Sequence, residues 1–348
     1  MQEKDFMQIA ANEALKAQGM TWTNPLVGAV IVKNNRVLAT GYHHQYGHEH
    51  AEVNALSHLP QPELAQGATL YVTLEPCCHF GKQPPCTQRI VASGIKKVVV
   101  GQVDPHKIVA GKGLHYLEDH GVATEVIGGT DYLNPAYNFF YRNGRPWVTL
   151  KYAMSLDGKI NCAGNERTLL TGPEAQFDAQ KLRCCQHAIL IGARTLRIDD
   201  PELTVRIKNL AIPPIRIVVT HDVQKINWQS RLFSEPGEIW LLSETDATTS
   251  LPKNVHVFVK KQWTPQAILQ LLASKDLQAL LVEGGSNLQA QFVQSKLADE
   301  VVTYLAPQIL GGTALPAVKG PGLNEKLQYE LVDVRRLGND VRLKARRK

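Results

Sequence analysis

The apolar positions of this chain change period several times. Phe6, Ile9, Ala10, Ala14 and Leu15 recur at helical spacing, and Gly19 closes the helix they predict. Residues 26–32 and 36–42 are apolar, β-branched runs joined by Lys33-Asn34-Asn35, which predicts a hairpin. A short helix is expected to begin near His50. Strands are expected over 69–74, 97–101 and 123–127. Helices are expected over 86–93, stopped by Gly94, and over 113–120. Strand–helix alternation of this kind makes a sheet with helices on its faces.

The polar, turn-rich stretch Arg142-Asn143-Gly144-Arg145-Pro146 predicts a boundary that divides the chain into domains 1–145 and 146–348. A second alternation follows it. Strands are expected over 148–153, 188–191, 215–220, 239–242, 255–259, 279–282 and 300–305. Helices are expected over 173–186, with proline in the first turn, from the cap Thr264 to Ala273, and over 286–295. The fold class is α/β in both halves.

Composition narrows the function. The chain has 348 residues, 44% of them apolar and 20% charged, enough for two soluble domains with separate cores. A net charge of +6 suits phosphorylated substrates, but it is too small and too dispersed for a nucleic-acid surface. The cationic run Arg346-Arg347-Lys348 reads as a solvated, frayed terminus. The N-terminus has no signal-peptide core and no run of 18 apolar residues occurs, so no membrane association is expected. Six cysteines, including the adjacent pairs Cys77-Cys78 and Cys184-Cys185, fit no disulfide framework and predict reduced thiols in a cytoplasmic enzyme. Cys162, Cys184 and Cys185 read as small hydrophobes in packing positions, and His115 and His120 as solvated surface.

The candidate chemistry of the first half is concentrated in His50-Ala51-Glu52, Pro76-Cys77 and Pro85-Cys86. One imidazole and two thiolates hold a zinc ion and leave its fourth position open to water. Glu52, two residues after the histidine, is placed to move that water's protons. His-x-Glu with a later Pro-Cys and a further Cys is the signature of zinc deaminases. Eight residues separate Cys77 from Cys86, and within them Cys78 and His79 compete as ligands. Adjacent cysteine side chains diverge, and Pro84-Pro85 is a rigid entry to a helix, so Cys86 is preferred to Cys78 as the third ligand.

These residues carry a resemblance. Asn24-Pro25-Leu26-Val27-Gly28-Ala29-Val30, His50-Ala51-Glu52-Val53, the run from Tyr71 to Cys77, and Gly81 through Cys86 resemble the N-terminal, cytidine-deaminase-like α/β/α domain of the bifunctional deaminase–reductases of riboflavin biosynthesis. The resemblance implies zinc on His50, Cys77 and Cys86, with Glu52 as acid and base. It also implies substrate contacts at Asn24, His43, His79 and Lys82. The long gap between the cysteines belongs to that family. Cys78 and Thr23 stand where the family usually has Ser and Pro, and neither is a ligand.

In the second half no G-x-G-x-x-G follows a strand. Val282-Glu283-Gly284-Gly285-Ser286-Asn287-Leu288 links an apolar strand to a helix, and paired glycines there let backbone N–H groups approach a phosphate. A tight strand–helix turn needs the same residues. Asp199-Asp200-Pro201 followed by Leu203-Thr204-Val205-Arg206 reads either as a site or as a helix end. Arg183 and Arg206 read either as phosphate ligands or as surface cover. With Leu150 through Lys159, these segments resemble the C-terminal reductase domain of the same family, a dihydrofolate-reductase-like α/β fold that uses NADPH. The resemblance implies cofactor contacts at Met154, Thr195, Asp199, Gly285, Ser286, Asn287 and Leu288. It implies substrate contacts at Arg183, Leu203, Arg206 and Glu283, and places Lys151 and Asp199 at the reacting ribose. Arg167 and Leu169 depart from the serine and tryptophan usual in the family.

Taken together, the resemblance implies two steps on one chain. Zinc-dependent deamination of a phosphorylated diaminopyrimidine is followed by NADPH-dependent reduction of its ribosyl chain. One Zn2+ per chain, small-molecule substrates and a homo-oligomer, dimer or tetramer, are expected. Neither nucleic acid nor a membrane is.

Overall fold

The computed structural model describes residues 1–80, 84–164, 166–248 and 251–348. The chain folds as two units, Met1–Gly144 and Arg145–Lys348. In the first, the elements in order are α1 (Glu3–Leu15), β1 (Gly28–Lys33), β2 (Arg36–Tyr42), α2 (Ala51–Ser57), β3 (Thr69–Val72), α3 (Cys86–Ala92), β4 (Lys97–Val100), α4 (Lys112–Asp119), β5 (Ala123–Val126) and α5 (Pro135–Asn143). The sheet order is β2-β1-β3-β4-β5. β1 is antiparallel to both neighbours, and β3, β4 and β5 are parallel. Asn34 and Asn35, both at positive φ, make the two-residue hairpin turn.

Every interior strand buries both faces, which is why its sequence reads as a continuous apolar run. Ala29, Ile31, Leu70, Val72, Val98 and Val100 point to one side, with Ala51, Ala55, Ile90 and Leu117 from α2, α3 and α4. Val30, Val32, Tyr71 and Val99 point to the other, where Phe6, Met7 and Ala10 of α1 cover them. The result is an α/β/α sandwich.

The second unit runs β6 (Trp147–Met154), β7 (Lys159–Asn161), α6 (Pro173–Cys184), β8 (Ala188–Gly192), α7 (Ala193–Asp199), β9 (Ile215–Val219), α8 (Arg231–Ser234), β10 (Ile239–Ser243), β11 (Val255–Val259), α9 (Pro265–Ala273), β12 (Ala279–Val282), α10 (Ser286–Gln294), β13 (Glu300–Leu305), β14 (Leu315–Pro316), β15 (Tyr329–Leu337) and β16 (Asp340–Arg347). A nine-stranded sheet has the order β11-β10-β9-β8-β12-β6-β13-β16-β15. It is parallel through β13, and β16 and β15 are added antiparallel. β7 and β14 pair separately. Ile189, Ile191, Val218, Leu241 and Leu281 form the core beneath α7. Thr264 caps α9 as expected, accepting from the Ala267 N–H.

Three expectations are corrected. Helix α5 continues through Arg142 and Asn143, where the sequence predicts a turn, and ends at Gly144, whose φ of 69° suits a glycine cap. The tail is not frayed. Arg346 lies in β16, paired opposite Glu300, with its guanidinium 3.2 Å from that carboxylate and over the Trp147 ring. Cys162 and Cys185 are exposed and Cys184 is half-buried, so the first two do not serve as packing residues.

Candidate active sites

In the first unit, close backbone packing sets the position of α2. A Cβ on Gly41 would stand 2.3 Å from the Ala55 nitrogen, so only glycine lets β2 run this near the helix. His50 is the N-cap of α2 and Glu52 lies in its first turn, buried. Cys77 lies in the loop after β3, and Cys86 is the first residue of α3 behind its cap Pro85. These elements bring three donors together. His50 Nδ1 is 3.2 Å from Cys86 Sγ and 3.4 Å from Cys77 Sγ, and the three ligand atoms lie within 4.8 Å of one another. Cys78 is not among them. Two thiolates and an imidazole suit zinc, and three protein ligands leave a coordination position open.

The electrostatics favour proton traffic. Burial pushes the Glu52 carboxyl up to about 7, against the opposing His50 charge. A hydrogen bond from Cys86, with help from His50, holds the Cys77 thiol down at about 4 despite burial. Burial also holds His43 down at about 4. Neutral His43 then donates from Nδ1 to the Glu49 carbonyl, 2.9 Å away, and accepts at Nε2 from the Asn24 amide, 3.1 Å away. Its ring meets His50 edge-on at 5.5 Å. Asn24 and His43 therefore join the metal donors in one place. His79 is exposed beyond Cys78. Lys82 lies outside the described residues.

Two residues without a sequence-assigned role hold this site. Glu75 is buried and accepts from the backbone N–H groups of Asp104, Gly111 and Gly113 at 3.1, 2.9 and 2.8 Å. It thereby ties the start of α4 to the Pro76-Cys77 loop. Asn134 bonds both backbone groups of Leu26, at 2.7 and 2.8 Å, and fixes the segment carrying Asn24. Glu75's place beside Pro76-Cys77 was its only sequence signal.

In the second unit a cavity of about 860 Å³ opens at the carboxyl ends of the parallel strands. Lys151, Arg183, Thr195, Asp199, Arg206 and Glu283 line it, as do Gly285, Ser286, Asn287 and Leu288. Arg167 and Leu169 line it too. Met154 and Leu203 are not in its lining. Met154 ends β6 opposite Leu305, and Leu203 packs into the core with Ile189 and Leu196, its φ at 56°.

Glu283, directly after β12, accepts a two-pronged pair from Arg183, Nε to Oε1 at 2.8 Å and Nη2 to Oε2 at 2.6 Å. Lys151 Nζ lies 3.9 Å from the same carboxylate. Burial acts to raise Glu283, but the Arg183 and Lys151 charges prevail and hold it at about 2. Burial lowers Lys151, against the pull of Glu283. Burial raises Asp199, the last residue of α7, against Arg167 and Lys151. Gly285 N–H donates to Thr195 Oγ1 at 3.0 Å, which joins the glycine turn to α7. Arg206 Nη1 lies 2.9 Å from Glu202 on the exposed side.

Residues 1–102 match the cytidine and deoxycytidylate deaminase zinc-binding region. Residues 146–343 match the RibD C-terminal domain. The riboflavin biosynthesis protein RibD of Bacillus amyloliquefaciens is 35% identical over 359 residues, covering 99% of this chain and 96% of that protein. The chain belongs to the RibD family. The RibD protein of Escherichia coli K12 is 35% identical over 364 residues, 98% of each chain. The structure of Acinetobacter baumannii RibD superposes with a TM-score of 0.90 at 32% identity, covering 99% of this chain and 98% of that one. A Thermotoga maritima structure described as a diaminohydroxyphosphoribosylaminopyrimidine deaminase/5-amino-6-(5-phosphoribosylamino)uracil reductase does so with the same TM-score at 31% identity and the same coverage. As a RibD-family member, the chain is a bifunctional deaminase and reductase of riboflavin biosynthesis. Its first unit is a deaminase zinc domain and its second a dihydrofolate-reductase-like domain, which implies a nicotinamide cofactor. Among the described residues no helix is long and apolar enough to cross a membrane.

Proposed function

We propose that the first unit hydrolyses the 2-amino group of 2,5-diamino-6-ribosylamino-4(3H)-pyrimidinone 5′-phosphate. The second then reduces the ribosyl chain of the product, 5-amino-6-(5-phosphoribosylamino)uracil, to ribityl with NADPH. The observation that carries the first step is the convergence of His50, Cys77 and Cys86 near the start of the helix that bears the buried Glu52. These three residues fit one Zn2+ per chain, which when bound acidifies a water molecule. Glu52 takes the proton from that water and returns it to the leaving amine, so water is consumed and ammonia released. Asn24 and His43 are assigned to the pyrimidine on the family resemblance, and the neutral His43, bonded to Glu49, fixes the Asn24 amide. His79 and Lys82 are assigned to the substrate on the family resemblance.

In the second unit, the Gly285–Leu288 turn and Thr195 would seat NADPH, which supplies a hydride to the sugar C1. Met154 and Leu203, outside the cavity lining, are assigned to cofactor and substrate on resemblance alone. Lys151 and Asp199, both shifted toward neutrality by burial, hold the proton that must reach the sugar oxygen as its ring opens. Glu283 locks Arg183 and Lys151 in place. Arg183 and Arg206 offer cations to the phosphate. A cytoplasmic homo-oligomer, dimer or tetramer, completes the reading. Mass spectrometry of the products tests it. Ammonia and a deaminated pyrimidine are expected without cofactor, and the ribityl product only when NADPH is added. A reduced product that retains its 2-amino group would overturn the assigned order.

A further inference from the structure

The cations of the reductase cavity are mostly spoken for. Arg183 and Lys151 face Glu283, Arg206 faces Glu202, and Lys225 lies 3.7 Å from Asp222. Arg167 acts on Asp199. Arg197 and Lys319 are different. Both line the same cavity, and among the described residues neither side chain has a hydrogen-bond or ion-pair partner. Lys319, which is solvent-exposed, is the one whose backbone bonds to the first residue of α10.

The backbone around Lys319 is docked rather than loose. Lys319 N–H donates to the Ser286 carbonyl at 3.3 Å, and Ala317 N–H donates to the Gly158 carbonyl at 3.0 Å. Gly320 lies against α10, where an added Cβ would meet the movable amide end of Gln294 at 2.5 Å and Ala290 Cβ at 3.3 Å. The backbone of Lys319 is thereby held at the amino end of a nine-residue helix. The first residue of that helix, Ser286, lines the cavity and is 3% exposed, and among the described residues its hydroxyl has no hydrogen-bond partner. A buried hydroxyl without a partner costs stability unless a ligand satisfies it. First-turn backbone N–H groups, a partial positive charge from the helix and an idle buried hydroxyl favour an anion there, and the exposed Lys319 ammonium adds positive charge to the same cavity wall.

We propose that Lys319 is a contact residue for the diphosphate of the nicotinamide cofactor, closing a cradle formed by the Gly284-Gly285 turn and the Ser286 hydroxyl. This rests on the reading of that turn as the cofactor's seat. A diphosphate lies in NADPH and NADH alike, so Lys319 serves both.

The test is a titration of the purified full-length chain with NADPH and, separately, with NADH, by calorimetry. Lys319→Ala is expected to weaken both by a similar factor, on the order of tenfold for the loss of one charge-assisted contact. Lys319→Arg is expected to keep most of the affinity. The dependence of affinity on salt should become shallower in Lys319→Ala, and KM for the pyrimidine at saturating cofactor should stay within about twofold. Weakening confined to NADPH would move Lys319 to the ribose 2′-phosphate and overturn the proposal. So would a change in pyrimidine KM with cofactor affinity intact. Gly285→Val separates the two levels of inference, because a side chain there covers the helix amides and meets Thr195. If Gly285→Val weakens cofactor binding and Lys319→Ala does not, only the role of Lys319 falls. If neither variant does, the seat itself has been misplaced.

Discussion

At the scale of single residues, the deaminase reading stands on Glu52. Glu52→Gln keeps the metal donors and the shape of the pocket but removes the proton carrier. Deamination should fall by about 10²–10⁴-fold while zinc content and reduction of the deaminated intermediate persist. Near-normal ammonia release by that variant would end the assignment. Cys86→Ser should lower zinc content measured after dialysis far more than Cys78→Ser, because Cys78 is outside the donor cluster. Glu283 provides a test in the pH dimension. Its carboxyl titrates near 2 in the folded chain against an ordinary 4.5, so its stabilising charge is fully present above about 4.5 and is lost as pH falls toward 2. Glu283→Gln leaves Arg183 buried without a countercharge and should cost about 3–5 kcal/mol at neutral pH. That difference, measured by denaturant unfolding, should narrow below pH 4.5; a constant difference down to pH 2 would refute the linkage. The metal donors were legible in the sequence because each lies in a short local pattern. The partners of Glu283 and Asn134 were not. Arg183 is 100 residues from Glu283, and Leu26 is 108 from Asn134. Neither spacing leaves a periodic trace.

At the scale of elements, the positions of the catalytic groups depend on how closely helices lie on the sheet. Gly41→Ala would drive a methyl group into the α2 backbone, 2.3 Å from the Ala55 nitrogen and 2.7 Å from the Ala51 carbonyl. The expected result is a loss of about 1–3 kcal/mol or more in the first unit, together with slower deamination, because Glu52 moves with α2. Reduction should be unchanged because the second unit has its own sheet and core, and zinc retained by the variant distinguishes a shifted helix from an unfolded first unit. The interior strands of both sheets were legible because their runs are mostly apolar and β-branched, even where β6, β9 and β13 carry Lys151, Arg216 and Glu300. The β15–β16 hairpin was not, because its strands are rich in charge. Arg342 pairs with Asp178 and Asp333, and Lys344 and Arg346 pair with Glu300, so ionic partners on other elements replace the apolar alternation that marks a strand. Helix α7 was missed for another reason. It spans only Ala193–Asp199 directly after a strand, and Asp200 ends it at a φ of 39°, so it carries too few turns to show a stripe.

At the scale of the whole molecule, the chemistry is segregated along the chain. The zinc-type residues all precede position 87, and the reductase-type residues all follow position 150. Each unit also has its own sheet and its own buried clusters. That independence has a physical consequence. Residues 145–348 carry the whole nine-stranded sheet, the Arg183–Glu283 pair and the α10 turn, and every described residue that lines the reductase cavity lies among them. The fragment should therefore fold alone with a single cooperative transition and bind NADPH. In the full-length chain, Asp199→Asn should cut reduction strongly, because it removes a carboxylate whose titration is set by burial beside Lys151 and Arg167. It should leave ammonia release untouched, since the metal donors and the residues described as holding them all lie in the first unit. Coupled assays on one preparation check both halves together. Ammonia release that falls in parallel with reduction would show that the two sites depend on each other. A folded fragment with no affinity for NADPH even at millimolar cofactor would show that the second unit needs the first to form its cavity.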